Sequence, residues 1–91
     1  MFKIRATNRF EKDTVKCIKR DYDLSRLETV VSLLEKNGKL PVQYHPHILS
    51  GNYSDCWECH IKPDWLLIWR INESSNEIEL VRTGTHSDLF Y

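Results

Sequence analysis

The sequence has no long apolar run, no excess of one charge, and few of the residues that break or cross-link a chain. Its 91 residues include only three glycines, three prolines and three cysteines. The longest apolar run, residues 65–69, is far too short to span a bilayer, which takes about 20 residues. With 41% hydrophobic residues, the composition excludes a disordered or collagen-like chain. We therefore expect one globular domain over residues 1–91, with no membrane segment.

The cysteines and the amino-terminal residues favour a reducing compartment. Three cysteines cannot all pair in disulfides, and residues 1–5, MFKIR, lack the apolar stretch of a secretion signal. A chain of this kind usually keeps its thiols reduced. We expect the protein to act in the cytoplasm.

Charge is balanced overall but unevenly divided along the chain. Residues 1–45 carry ten Lys and Arg against six Asp and Glu, whereas residues 46–91 carry three against seven. The overall balance gives no support for strong non-specific phosphate binding. A basic half that lines a groove could still hold a nucleic acid, and two ordinary solvated helical faces would produce the same asymmetry.

Hydrophobic periodicity predicts two helices after a short strand at residues 2–5. Asn8 followed by Glu11 resembles a helix start, and an apolar stripe continues to about Arg20. The stripe consists of Phe10, Thr14, Val15, Cys17 and Ile18. Residues 21–23 are predicted to form a turn.

The second helix has the stronger pattern. Ser25 and Glu28 fit a capping box, and Asn37-Gly38 is a typical helix stop. Its apolar positions follow the i, i+3, i+4, i+7 spacing of one helical face. They are Leu27, Val30, Val31 and Leu34. The two helices are expected to form an antiparallel hairpin.

After Pro41 the period changes to that of strands. Residues 56–61 alternate, which puts Cys56 and His60 on one face and Cys59 on the other. Residues 65–71 are almost continuously apolar, as in the centre of a sheet, and residues 77–82 return after a polar turn. The pattern predicts an α+β fold that begins with an N-terminal strand, in which the two-helix antiparallel hairpin packs on one face of a mostly antiparallel sheet of four to five strands.

Residues 56–60, CWECH, match the C-x-x-C-H pattern of covalent haem attachment. We reject haem because attachment requires export, and because Cys56 and Cys59 would point to opposite faces of a strand. The same argument weakens a zinc site built from these cysteines, His60 and either His45 or His47, since paired zinc ligands need a tight turn. No metal, haem or other cofactor is expected.

The remaining polar residues of the second half could form a metal-free proton-transfer site. They lie at predicted strand ends and turns that can converge at one end of the sheet, and they are His47, His60, Asp64, Arg82 and His86. RNA cleavage requires such a set: a base for the ribose 2′-OH, an acid for the leaving 5′-oxygen, and a cation near the phosphate. Histidines that only form hydrogen bonds at strand ends would give the same pattern.

Three segments together resemble the YafQ family of bacterial toxins. They are residues 47–51 (HILSG), 59–69 (CHIKPDWLLIW) and 82–90 (RTGTHSDLF). This family belongs to the RelE/ParE superfamily of type II toxin–antitoxin systems. The resemblance covers nearly the whole chain and implies a RelE-like fold.

The resemblance implies an mRNA interferase, a metal-independent endoribonuclease that cuts ribosome-associated mRNA and is inactivated by a cognate antitoxin. His47, His60, Asp64 and His86 would then form the acid–base set, and Arg82 would stabilise charge on the phosphate. The two aromatic residues Trp65 and Phe90 would bind the nucleotide or shape the site.

The sequence also departs from the family pattern. Many relatives have basic residues where residues 52–57, NYSDCW, stand here, and an Asp where Pro46 stands. The missing cations would weaken phosphate contacts, so we expect retained but reduced activity. The alternative is a toxin-like binding module of the ParE type, which mainly binds its antitoxin and does not need this histidine set.

Overall fold

A computed structural model of the chain describes residues 1–90 as one five-stranded sheet with helices packed on it. Its elements in chain order are β1 (Lys3–Ala6), α1 (Asn8–Lys19), α2 (Leu24–Asn37), β2 (His47–Ile48), β3 (Trp57–Lys62), β4 (Trp65–Asn72), β5 (Glu77–Gly84) and α3 (His86–Phe90). The sheet order is β1-β5-β4-β3-β2. Only the β1–β5 pair is parallel. The α+β class and the central position of the apolar strand β4 are therefore confirmed.

The sheet separates two apolar clusters. The larger one lies between α1, α2 and one sheet face, and includes Cys17, Leu34 and Trp69, each at most 1% exposed. The smaller one lies on the opposite face, where Leu66 and Ile68 pack against Leu89 of α3. Burial on both faces explains why β4 has a nearly continuous apolar sequence. The carboxyl end of β5 is thus held between α1 on one face and α3 on the other.

The N-caps of the two long helices lie one and two residues before the predicted caps. The Thr7 hydroxyl accepts the Phe10 N–H at 3.0 Å, so Thr7 and not Asn8 caps α1. The Asp23 carboxylate accepts the Ser25 N–H at 3.1 Å, so Asp23 replaces Ser25 as the cap of α2. In each case two residues close in sequence have side chains suited to a helix N-terminus, so the local pattern did not distinguish them.

The stop of α2 is confirmed, whereas part of the α1 stripe is wrong. Gly38 ends α2 with φ +70°, a backbone conformation that glycine adopts easily. On α1, Phe10 and Cys17 are buried as expected, but Val15 and Ile18 are 50% and 56% exposed. The buried face of α1 turns toward β5 and also includes Asp13.

Within residues 1–90, no helix combines the length and the apolar composition that a bilayer crossing needs.

Candidate active site

Two short strands bring His47 and His60 together at one edge of the sheet. In the β2–β3 register, His47 lies opposite Glu58, and Glu58 and His60 are two residues apart on the same face of β3. Glu58 is buried, and its Oε1 lies 3.1 Å from His47 Nε2 and 4.0 Å from His60 Nε2. A buried carboxylate therefore lies between two imidazoles. The sequence predicted a turn for His47; the two-residue strand β2 replaces it because pairing with β3 extends the backbone.

The third histidine begins α3. Gly84 ends β5 with φ +152°, and His86 is the first residue of the helix that follows. The His86 backbone N–H and its ring Nδ1 both contact Asp64 Oδ1, at 2.9 and 2.6 Å. The hydrogen bond from the backbone N–H of His86 holds the pKa of Asp64 below its usual range. Asp64 lies in the turn between β3 and β4, so the β3–β4 turn and α3 are joined at this carboxylate.

The imidazoles form one continuous cluster around His60. Ring centroids of His45, His47 and His86 lie 6.0, 6.4 and 5.8 Å from that of His60. Phe90 extends the row, since its ring lies 6.4 Å from that of His86. Grooves of about 640 and 370 Å³ flank the row, one beside His60 and one beside Phe90. The cluster is open to solvent, as a polynucleotide site must be.

Hydrogen bonding assigns different protonation patterns to these rings. A carbonyl or carboxylate oxygen can only accept, so Nδ1 of His86 donates to Asp64 and leaves Nε2 of the neutral ring as an acceptor. His47 contacts acceptors on both sides, with Nδ1 2.9 Å from the His45 carbonyl and Nε2 3.1 Å from Glu58. Both ring nitrogens of His47 therefore face oxygen acceptors, whereas Nε2 of His86 is left to accept a proton.

A profile of the family described as "Bacterial toxin of type II toxin-antitoxin system, YafQ" matches residues 2–91. The chain belongs to the YafQ toxin family. The mRNA interferase toxin YafQ of Escherichia coli strain K12 is 34% identical over 88 residues, which cover 96% of this chain and 94% of that protein.

Two solved structures agree with this assignment. YafQ in a crystal structure of the E. coli DinJ–YafQ complex superposes with a TM-score of 0.89 at 32% identity, over the whole of both chains. A metal-bound toxin from Helicobacter pylori gives 0.90 at 40% identity, over 99% of this chain and 100% of that chain. The predicted family and the RelE-like α+β fold are confirmed.

Arg82 is largely buried beside the site. In this YafQ-family toxin it is 7% exposed, and its Nε and Nη2 donate to the two oxygens of Asp13 at 2.7 and 3.1 Å. Its Nη1 donates to the Tyr53 hydroxyl at 3.1 Å. The hydrogen bond to Asp13 raises the pKa of the Arg82 guanidinium. Most of its N–H donors are used internally, and Arg82 also lines the groove that contains Phe90. Its contact with a phosphate stays a prediction.

The two predicted aromatic residues have different environments. Trp65 is 3% exposed, its indole Nε1–H donates to the Thr83 hydroxyl at 3.0 Å, and its ring packs 4.8 Å from that of Tyr22. It therefore shapes the floor of the site, and direct contact with a nucleotide is not supported. Phe90 is 41% exposed and packs edge-on against Tyr53 at 5.7 Å. Phe90 remains available to a ligand.

The cysteine positions agree with the argument against a shared metal. Cys56 belongs to the apolar cluster under α3, whereas Cys59 belongs to the cluster under α1 and α2, so their sulfurs lie on opposite sheet faces. Burial raises the pKa of the Cys59 thiol to about 12, which disfavours the thiolate that binds zinc. In the described part of the chain, no three His, Cys, Asp or Glu side chains are grouped as a metal site.

Several residues of the site escaped the sequence analysis. Glu58 shares a strand face with His60, and this i, i+2 relation was a usable signal. Asp13 is a carboxylate on the buried face of α1, between Phe10 and Cys17, and this position also marks it as unusual. No local pattern indicates Tyr53, whose hydroxyl donates to the Leu89 carbonyl at 3.3 Å.

Proposed function

We propose that the protein is the toxin of a type II toxin–antitoxin pair and an endoribonuclease that cuts ribosome-associated mRNA. One observation carries this proposal: an exposed row of imidazoles in which Asp64 orients His86, 5.8 Å from His60. Proton transfer at two sides of a phosphodiester needs two such groups a few ångströms apart. Residues 1–91 act as a single toxin domain, in the cytoplasm, where mRNA is translated.

The hydrogen bonds support a division of roles among the histidines. Nε2 of His86 takes the proton of the ribose 2′-OH, and the 2′-oxygen then attacks the phosphorus. The P–O5′ bond breaks, and protonated His60 gives its proton to the 5′-oxygen, leaving a 2′,3′-cyclic phosphate and a 5′-hydroxyl. In this scheme His47, whose two ring nitrogens face acceptors, is protonated and supplies positive charge near the phosphate.

This division gives the site its electrostatic support without Arg82. The imidazolium of His47 replaces the guanidinium as the cation that faces the scissile phosphate. Phe90, exposed and in contact with Tyr53, offers a ring on which a base can stack.

The activity is tested with purified protein on programmed ribosomes and on the same mRNA free in solution. We expect cleavage on the ribosome and weak cleavage of free RNA, because the site alone provides few phosphate contacts and the ribosome positions the substrate. Equal cleavage of both RNAs would contradict the ribosome dependence. Toxin that binds its antitoxin but leaves both RNAs intact would identify a binding module of the ParE type.

A row of cations on α1 supports the ribosome as the partner. At 100° per residue, Arg9, Lys12, Lys16 and Lys19 lie within an arc of about 80° on the helix surface, and all four are exposed. Within residues 1–90 none of them is in an ion pair. Arg9 also lines the groove that contains Phe90. The basic half of the chain thus borders the site, and α1 can contact RNA phosphates that flank the cleaved mRNA.

Reversing two of these charges is expected to weaken ribosome binding. The double variant Lys12→Glu/Lys16→Glu should raise KM for programmed ribosomes by on the order of tenfold or more with kcat unchanged, because the lost cations act on association. Steady-state cleavage over a range of ribosome concentrations measures this split. Lys36→Glu/Lys39→Glu, an equal charge change on exposed residues outside this row, is the matched control. Equal KM increases in both variants would refute a specific role for α1.

The cognate antitoxin is the second partner. The E. coli relative is solved in complex with DinJ, and we propose a comparable protein partner here. An antitoxin that covers α1 or the imidazole row would block the contacts proposed above.

A further inference from the structure

Thr85 and Asp88 cap α3 reciprocally. The Thr85 N–H donates to Asp88 Oδ2 at 2.9 Å, and the Asp88 N–H donates to the Thr85 hydroxyl at 3.1 Å. Such a capping box satisfies two backbone donors of the first turn and fixes its geometry. His86 belongs to this turn, so the cap fixes the backbone position from which the His86 side chain extends.

Arg20 binds the same carboxylate from α1. Its Nη1 donates to Asp88 Oδ2 at 2.5 Å and its Nη2 to Oδ1 at 3.0 Å, a bidentate arrangement. The Asp88 side chain is only 13% exposed in this ion pair. The hydrogen bonds from Arg20 hold the pKa of Asp88 well below its usual range. The carboxylate therefore stays charged and joins the end of α1 to the start of α3.

Gly84 makes room for this contact. It has φ +152°, and a Cβ at this position would lie 2.8 Å from Asp88 Oδ2 and 3.0 Å from Asp88 Cβ. Any other residue would displace Asp88 or strain the backbone. Gly84 therefore has a structural role in the R-x-G-T-H segment. Its missing side chain leaves space for Asp88, the residue that joins α3 to Arg20 of α1.

We propose that Arg20 is a positioning residue, which acts through Asp88 to hold the first turn of α3, and with it His86, beside Asp64 and His60. This inference rests on the proposed function, because the positioned group is the proposed proton acceptor. Arg20 does not touch the substrate in this role. A small displacement of a reacting group is costly, and a misplacement of 1 Å can lower a rate about 100-fold.

A direct phosphate contact is the competing role, because Arg20 is a partly exposed cation next to the α1 row. The two roles predict opposite effects of Asp88→Ala. If Arg20 positions α3, this variant lowers kcat and leaves KM unchanged. If Arg20 binds phosphate and Asp88 only restrains it, the released guanidinium strengthens ribosome binding, and KM falls with kcat unchanged.

The experiment measures kcat and KM of Arg20→Ala, Asp88→Ala and the double variant on programmed ribosomes. We expect roughly 10- to 100-fold lower kcat, KM within about twofold, and a double variant no worse than Asp88→Ala, because the pair acts as one unit. Arg20→Lys, which retains one hydrogen bond, should recover part of the rate. A raised KM with normal kcat in Arg20→Ala would overturn the proposal.

Arg5→Ala is the matched control, because it also breaks an exposed Arg–carboxylate pair, with Glu79 at 2.8 Å, on the far strand β1. Its kcat should be normal. Hydrogen exchange at the Asp88 and Leu89 amides, which donate to Thr85, supplies a readout independent of cleavage. Faster exchange in Arg20→Ala supports the attachment even if the wild-type protein cleaves no mRNA, and unchanged exchange overturns it.

Discussion

Replacing His86 by alanine is expected to lower kcat for cleavage on programmed ribosomes by about 10²- to 10⁴-fold, the usual contribution of one acid–base group. The ring donates Nδ1–H to Asp64 at 2.6 Å, which leaves Nε2 to accept the substrate proton. Removing the ring eliminates this proton acceptor, whose tautomer Asp64 fixes. KM should change little, because the exposed His86 ring contributes few contacts to binding.

Asp64→Asn is the companion variant. An amide oxygen can still accept from the His86 N–H groups, but it lacks the negative charge that stabilises the imidazolium once His86 has taken a proton. We expect a smaller fall in kcat for Asp64→Asn than for His86→Ala. The double variant should resemble His86→Ala, because the two residues act together.

Two results would contradict this assignment. A His86→Ala protein with normal thermal unfolding and kcat within about threefold of wild type would remove His86 from the chemistry, since a proton-transfer group contributes far more. An Asp64→Asn/His86→Ala double variant much slower than either single variant would mean that the two residues act separately.

The elements with a strong local pattern could be predicted. Leu27, Val30 and Leu34 are buried on one face of α2, as their spacing requires, and Gly38 ends the helix. The alternation predicted over residues 56–61 correctly put Cys56 and Cys59 on opposite sheet faces, the argument that rejected haem and weakened zinc. In such segments the spacing of the buried residues directly indicates whether the chain is a helix or a strand.

The site was only partly predictable, because its decisive contacts join distant parts of the chain. Five residues are too few for a helical period, so α3 was missed; Arg20, 68 residues away in sequence, helps to hold it. The partner of Arg82 is 69 residues away. The sequence predicted which residues carry the chemistry, but it did not indicate that Arg82 is buried and bonded to Asp13.

The departure at residues 52–57 also has a structural meaning. Basic residues are absent there, and Tyr53 instead accepts from Arg82 and packs against Phe90. This segment therefore braces the carboxyl-terminal helix, while exposed cations are concentrated on α1. In the proposed function, α1 supplies the phosphate contacts and residues 52–57 support the site.

Replacing Asp13 by alanine is expected to destabilise the fold by about 3–5 kcal/mol, the usual cost of removing one partner from a buried ion pair. Asp13 accepts three hydrogen bonds, two from Arg82 and one from the Thr83 N–H at 3.1 Å. Without it, the buried Arg82 guanidinium keeps only neutral acceptors, and the Thr83 N–H loses the acceptor it has in the structure. Chemical denaturation measures the loss.

A second substitution, at Arg82, shows whether the lost stability comes from an unpaired charge or from lost packing. If the cost comes from the unpaired Arg82, the double variant Asp13→Leu/Arg82→Met should recover most of the stability, because a buried pair replaced by apolar residues is often neutral. Its cleavage rate should nevertheless stay low, since Tyr53 and the Asp88 carbonyl would both lose the Arg82 donors that hold α3. A stable double variant with full activity would show that Arg82 contributes only to folding.

The single variant has its own contrary outcome. If Asp13→Ala lowers the free energy of unfolding by less than about 1 kcal/mol, well short of the usual cost of a broken buried pair, water can solvate the guanidinium in place of the carboxylate.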